Sequence, residues 1–451
     1  MNSIKRYDNT LIYIVLIMLS MLIIGIFFNI NTILFVQVGI LTLIFFVYIW
    51  KYEEKLLYYC ILLSTVSQFL GGFFKPASYL AQVFLILLAL KLIEKIFIKK
   101  IPIKVNKLII TISFLMLFLD SSLYLVSTRG NIILYVWAIL KKYGFLIIYL
   151  YIINLNNTEK ILINIDKTLK LIFIIQFIFT FIQFKNNVFF DDITGLFGSR
   201  STGEYSTFLI IYLLILINRN DKNDKYFIVF LSLHILIYAI IAEVKLLMIL
   251  FPSIIILNTL VKRKKVKDYV YFLSILLLLL LGYRIYTNLY PEQADSFNSM
   301  DQYLTEGYGV NTDLNRLNVL GPLEQNGVLN DNMDKLFGRG LGSVHPSEIN
   351  LIQGPLYKQY EYLRIEWFTL PYLITESGIL GAMLYISIYV IVLINSILNL
   401  SKNNCKTLLC ISIVAIIIII YNSSLITSLR VPIFIWMWIG FLSKEKYNLK
   451  I

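Results

Sequence analysis

Apolar residues fall in blocks of about twenty along this chain, separated by short polar punctuation. A block of that length in a helix matches the thickness of a bilayer core, so each predicts a transmembrane helix. The blocks cover approximately 11–29, 32–50, 56–73, 77–97, 107–127, 132–154, 168–184, 205–218, 226–242, 245–261, 269–288, 367–399, 407–422 and 430–443. Some are short or long, and 132–154 holds Lys141 and Lys142, so the expectation is about 12–14 spans. The two lysines read most simply as snorkelling toward the inner face, or, if their span is broken, as part of an outer site. The predicted organisation is a membrane domain over 1–288 with about eleven spans, a large extracytoplasmic loop over 289–366, and about three spans over 367–451.

Composition agrees with this pattern. Of 451 residues, 58% are hydrophobic and only 15% charged, with a mean hydropathy of +0.76. A soluble core of this size needs a polar skin that such a sequence does not supply. The fold class expected is therefore an all-α polytopic membrane protein. No small-residue cleavage site follows the first block, which reads as a signal anchor. Cys60, Cys405 and Cys410 have no framework spacing, so no disulfides are expected.

The net charge of +13 would suggest nucleic acid in a soluble protein. Here, with a cytoplasmic amino terminus, 25 of the 40 basic residues fall in loops on that side, including the runs from Lys95 to Lys107 and from Lys262 to Lys267. That is the positive-inside distribution, so both termini are expected in the cytoplasm and the basicity reports topology, with no nucleic-acid partner. The Lys262–Lys267 run also suits anionic membrane lipids, though topology alone accounts for it.

The informative charges are those on the other side. The segment 289–366 is the one stretch long enough to fold outside the membrane, and it carries Arg316, Arg339, His345, Arg364 and Glu366. Its plain alternative is a solvated loop. Gly338-Arg-Gly-Leu-Gly342 permits close backbone approach, but lacks the spacing and βαβ context of a dinucleotide fingerprint. Two histidines, His234 and His345, make no metal cluster, and no metal or cofactor is expected. Three smaller outer features stand beside the loop. Gly195-Leu-Phe-Gly-Ser-Arg-Ser-Thr-Gly-Glu-Tyr205 places Arg200 and Glu204 at the mouth of a span. Ala242-Glu-Val-Lys-Leu246 joins two spans through Glu243 and Lys245, where pairing or a wet cavity is expected. Glu366 is followed by Glu376-Ser-Gly-Ile-Leu-Gly381, whose glycines suit close helix packing and whose Glu376 suits a packing or capping role. Guanidinium groups bind phosphate oxygens in bidentate fashion, so Arg200, Arg316 and Arg339 suit a pyrophosphate at the membrane surface.

The order of these parts resembles the O-antigen polymerase and O-antigen ligase superfamily over roughly residues 190–385. The likeness lies in the Gly195–Glu204 turn, the Ala-Glu-Val-Lys link, Arg316 with Leu-Phe-Gly-Arg-Gly-Leu-Gly-Ser343, and the closing Glu-Ser-Gly-Ile-Leu-Gly381. Ligase-like members carry His-Asn shortly before that closing segment. Here Arg364-Ile-Glu-Trp367 stands there and His345 lies far upstream, which points toward a polymerase. The resemblance implies a GT-C-like, metal-independent glycosyltransferase of the bacterial inner membrane. It would transfer a glycan from undecaprenyl pyrophosphate to the next lipid-linked repeat of an O-antigen, capsule or exopolysaccharide. A chain-length regulator and a flippase are its implied partners. In this reading Arg316 and Arg339, helped by Arg200, hold the pyrophosphate and Glu366 is the base, with Glu204, Glu243, Lys245, His345 and Arg364 as further candidates. The rival is a flippase for lipid-linked oligosaccharides, which would be expected to show two similar halves.

Overall fold

The computed structural model describes residues 50, 53–73, 75–127, 131–155, 158–186, 188–199, 201–219, 221–261, 277, 280–282, 284–288, 314–347 and 349–444. Two compact units divide at Tyr59 and Cys60. Of the first, the described part is Trp50 and the start of helix α1; all that follows concerns the second. The expected spans at 11–29 and 32–50, most of 269–288, the loop from 289 to 313, and Arg200 lie outside the described residues.

Every regular element among the described residues is helical. The long helices are α1 (Glu53–Phe73), α2 (Leu80–Ile93), α3 (Lys107–Ser127), α4 (Ile132–Ile153), α5 (Thr158–Lys185), α6 (Thr202–Arg219), α7 (Lys225–Ile241) and α8 (Lys245–Val261). In the long segment come the short α9 (Leu320–Gln325), α10 (Asn332–Phe337) and α11 (Pro355–Gln359), followed by α12 (Thr369–Leu398), α13 (Asn403–Tyr421) and α14 (Arg430–Ser443). Among the described residues four helical stretches are long and apolar enough to cross a membrane: α4, Lys222–Ile241, α12 and α13. The block at 77–97 is not one uniform helix. A 3-10 turn at Lys75–Tyr79 precedes α2, and a π turn at Glu94–Ile98 follows it. Local chemistry sets several starts: the Asn131 side chain accepts from Leu134 N at 3.1 Å to open α4, and Asp331 accepts from Asp334 N at 2.7 Å to open α10.

Two helices form the centre. In α14 every residue from Arg430 to Leu442 is buried, and in α6 burial runs from Tyr205 to Leu216. A helix apolar on all sides is expected inside a bundle. Phe208 and Phe434 stack with ring centroids 3.9 Å apart where they meet, and Trp436 donates to the Tyr389 hydroxyl on α12 at 3.1 Å. At the periphery the order reverses. Phe114 and Phe118 on α3 are each 67% exposed, a face that lipid would cover and that water would not tolerate. The central helices thus open, at Glu204 and Arg430, with charges carried into the bundle.

The feature that ties the long segment to the bundle is a break in α12. Gly378 has φ 67° and ψ −175°, which interrupts the helical ladder. The carbonyls this frees are taken by the loop: Arg339 N donates to Thr375 O at 2.7 Å and Gly340 N to Glu376 O at 2.9 Å. A Cβ on Gly378 would sit 2.2 Å from the Leu336 carbonyl, and one on Gly338 (φ 83°) would sit 2.5 Å from the Gly378 nitrogen. The glycine-rich stretch therefore admits the backbone of α12, and Gly378 breaks a helix where close packing of two helices was expected.

A buried ionic cluster lies beside the break. Lys142 Nζ is 2.8 Å from Asp120 Oδ2 and donates to Ser377 Oγ at 2.5 Å. Ser377 Oγ donates to Asp120 Oδ1 at 2.7 Å, and the Tyr143 hydroxyl donates to Asp120 Oδ2 at 2.6 Å. Lys142, 2% exposed, does not snorkel, because a carboxylate on α3 meets it inside the bundle. Removing one partner of such a pair costs about 3–5 kcal/mol, whereas replacing both by apolar groups of similar volume is close to neutral. Lys142→Met should therefore lower unfolding stability in detergent steeply, and Asp120→Leu/Lys142→Met should recover most of the loss. Equal losses in the single and double variants would show that the pair is not the constraint.

Candidate functional site

A cavity of about 1580 Å³ lies between the long segment and the helix ends. Trp137 and Lys141 reach it from α4, the 195–201 turn and Glu204 from one side, and Ser428 and Arg430 from the start of α14. The long segment closes it with His345, Tyr357, Glu366 and Trp367.

The turn before α6 is held from α5 by two amides. Gln183 Oε1 accepts from Gly195 N at 2.8 Å; Gln176, fully buried, accepts from Leu196 N at 2.8 Å and donates to Thr194 O at 2.5 Å. This shapes an acceptor pocket for Arg430. Its Nη1 donates to Phe197 O at 2.5 Å, and its Nη2 lies 3.0 Å from Ser201 Oγ and 2.7 Å from Glu204 Oε2. The buried guanidinium is thus fixed at the cavity wall with Glu204 as counter-ion. Lys141 stands on α4, one residue before the Asp120–Lys142 cluster, and donates to Thr427 O at 3.0 Å. An ammonium carries three donors, so this one bond leaves capacity for a ligand oxygen.

On the loop side, His345 is 1% exposed, with Nδ1 3.4 Å from the Tyr372 hydroxyl. Burial, reinforced by the Lys141 ammonium, holds its imidazole neutral well below the usual histidine range. Glu366 sits in a 3-10 turn at Ile365–Trp367, half-buried, and burial lifts its carboxyl above the ordinary value. Glu376 lies behind the wall. Its Oε1 accepts from Gly342 N at 2.9 Å, which fixes the loop leading to His345, a bond to the long segment and not to a helix end.

Of the residues singled out in the sequence, Lys141, Glu204, His345 and Glu366 meet at this cavity. Arg316, Arg339, Arg364, Glu243 and Lys245 are not among its lining residues. Arg316, 6% exposed, lies between the rings of Phe368 and Tyr421 at 4.9 and 4.7 Å, and donates from Nε to Tyr421 O at 3.0 Å. Arg339 pairs with Asp334 at 2.8 Å. Arg364, in the left-handed conformation at φ 53°, covers Trp367 at 5.4 Å. Glu243, also left-handed at φ 49°, forms the α7–α8 turn with Lys245, and burial raises its carboxyl against the pull of that lysine. The cavity's cations are instead Lys141 and Arg430. The sequence did offer signals for them: Lys141 interrupts an apolar span, and Arg430 is the one charge opening the last. Among the described residues no three His, Cys, Asp or Glu side chains converge as metal ligands.

Comparison with known proteins gives no match to a family model, to a curated protein or to a solved structure.

Charged and polar side chains reach the cavity from several walls, so cysteines placed on different walls should label together. In a background lacking Cys60, Cys405 and Cys410, Gln353→Cys and Ser428→Cys should both react with a water-soluble maleimide from one side of the membrane. Arg316→Cys, packed between two rings, should react far more slowly. Labelling of positions 353 and 428 from opposite sides would exclude a shared cavity.

Proposed function

We propose that this protein is a membrane glycosyltransferase that polymerises lipid-linked repeat units at this cavity. The observation that carries the reading is the meeting of Lys141 and Arg430 with the half-buried Glu366 in one cavity under the long segment. The acceptor sugar hydroxyl attacks the anomeric carbon of the donor glycan, and the bond from that carbon to the pyrophosphate oxygen breaks. The hydroxyl proton passes to Glu366, and undecaprenyl pyrophosphate leaves with the bonding electron pair. Lys141, which has donors to spare, is placed to stabilise the charge that develops on the leaving pyrophosphate, and Arg430, paired with Glu204, holds the wall beside it; such a fixed electrostatic contribution is worth most in a partly dehydrated site. The base contributes on the order of 10²–10⁴-fold. Arg316 and Arg339 then act by holding the loop, and no metal or nucleotide sugar is required.

A second reading, ligase-type transfer to a different acceptor, is favoured by one observation. His345, distant in sequence from the segment that opens α12, lies at the same cavity and against Tyr372 of that helix. Acceptor choice separates the two readings. Purified protein given labelled undecaprenyl-pyrophosphate-linked repeats alone should produce a ladder if it is a polymerase. A single transfer that needs an added acceptor indicates a ligase, and movement across vesicles with no new bond indicates a flippase.

In the ladder assay, Lys141→Ala and Arg430→Ala should each reduce turnover by roughly 10²-fold or more. Arg339→Ala, which loses only a partly exposed pair worth about 1 kcal/mol or less, should stay within a few-fold of wild type. Wild-type ladders from Lys141→Ala would remove this cavity from the chemistry.

The base must be ionised to accept a proton, and burial raises the Glu366 carboxyl. Activity should consequently fall as pH drops through an acid limb lying above the range of an exposed glutamate. Glu366→Gln should lower activity by on the order of 10²-fold or more and remove the acid limb. A pH profile in which the Gln variant keeps both the rate and the limb assigns the base elsewhere.

A further inference from the structure

The helices that end at the candidate site enclose a second cleft at their other ends. It measures about 1770 Å³ and is bordered by the ends of α4 and α14, the starts of α5 and α13, and the link from Ile101 to Asn106. Four lysines border it: Lys104, Lys160, Lys402 and Lys444. Glu159 is the one carboxylate among its lining residues, and the lining Arg219 is already neutralised by Asp166 and Asp224. Lys444 donates to Leu155 O, and burial together with the like charges of Lys104 and Lys95 pushes its ammonium below the usual lysine value.

Two further observations point to a ligand. Thr158, 1% exposed at the start of α5, borders the cleft with its hydroxyl oxygen buried and without a hydrogen-bond partner. A buried hydroxyl left unpaired costs free energy that an oxygen acceptor in the cleft would recover. Helix α13 opens on Lys402 with no side-chain cap, so backbone amides and an ammonium meet at one point. Exposed apolar residues adjoin the lysines, with Ile101 and Val105 in the cleft wall and Phe97 and Ile98 in the turn that precedes it. Phe97 and Ile98 are 72% and 76% exposed, and Ile101 and Val105 are 47% and 43% exposed. Cations next to an apolar strip match a molecule with a phosphate at one end and acyl chains at the other.

We infer that this cleft binds the phosphate headgroup of an anionic phospholipid, between Lys104, Lys402, Lys444 and the Thr158 hydroxyl, with its acyl chains along the Phe97–Val105 strip. The site is separate from the cavity of Lys141 and Glu366 and does not depend on the polymerase reading. Its chemistry is shared with free phosphate, and the test separates the two sources.

Full-length protein in detergent is offered equal phosphatidylglycerol and phosphatidylcholine, and bound lipids are counted by native mass spectrometry. The wild type should prefer phosphatidylglycerol by roughly tenfold or more. Lys104→Gln/Lys402→Gln should lose that preference, and both lysines are exposed, so folding is not at stake. Thr158→Val, nearly isosteric, should weaken it independently. Unchanged preference in the double variant overturns the site. Inorganic phosphate that raises the melting temperature of lipid-free protein as far as phosphatidylglycerol does would overturn the lipid as occupant. A smaller effect of phosphate supports it.

Discussion

Backbone polar groups inside a membrane must find partners within the protein, and the break at Gly378 is where that constraint shapes this molecule most. A continuous α12 would need nothing from the long segment. Once Gly378 leaves the helical conformation, the Thr375 and Glu376 carbonyls lose their usual donors, and unpaired groups in hydrocarbon cost several kcal/mol each. The amides of Arg339 and Gly340 supply the replacements. Docking the loop is therefore part of completing the helix, and the same segment continues to Gly342 and His345. The Lys142–Asp120–Ser377 cluster sits one residue from the break, so the ionic pair and the backbone repair support each other.

This explains why the candidate site is built on rigid parts although about a third of its lining comes from the long segment. Arg430 and Glu204 open the two most buried helices, and Lys141 is adjacent to a residue held by Asp120. Glu366 stands instead in a half-buried turn of the long segment. The division suits a site whose cations must be fixed to stabilise developing charge, while a proton acceptor needs access to an incoming hydroxyl.

Much of the bundle was legible from hydrophobic blocks. The blocks at 107–127, 245–261 and 430–443 coincide with α3, α8 and α14, because an apolar run bounded by polar residues marks one helix and its ends. The interior of the site was less so. Asp120 and Lys142 lie in neighbouring apolar blocks with opposite charges, a pairing visible in the sequence once both are weighed together. Taken alone, Lys142 resembled a snorkelling residue. The glycines at 338 and 378 were legible as permissive positions, but which backbone they admit depends on a contact forty residues apart that no local pattern specifies. Arg316 and Arg339 stood out as charges on the side where few are expected. That signal marks a need for compensation, and it does not separate a ligand from a protein carbonyl or an aspartate as the compensating group.

Arg316 makes the distinction concrete. Its guanidinium is sandwiched by Phe368 and Tyr421 and bonded to the Tyr421 carbonyl, which joins the start of the described loop to the beginning of α12 and the end of α13. Asn422, the next residue, accepts from Thr369 N at 3.2 Å at the first turn of α12. Glu366 lies three residues before that bond. A change at Arg316 would thus reach the cavity through the Phe368–Thr369 corner and displace the Glu366 turn without any contact between Arg316 and substrate. A lysine there could keep the charge, but its ammonium lacks the planar face that stacks between two rings. Loss of activity at Arg316 would accordingly follow from geometry alone, so in the proposed reading it is variants of the cavity residue Lys141 that test where an anion binds.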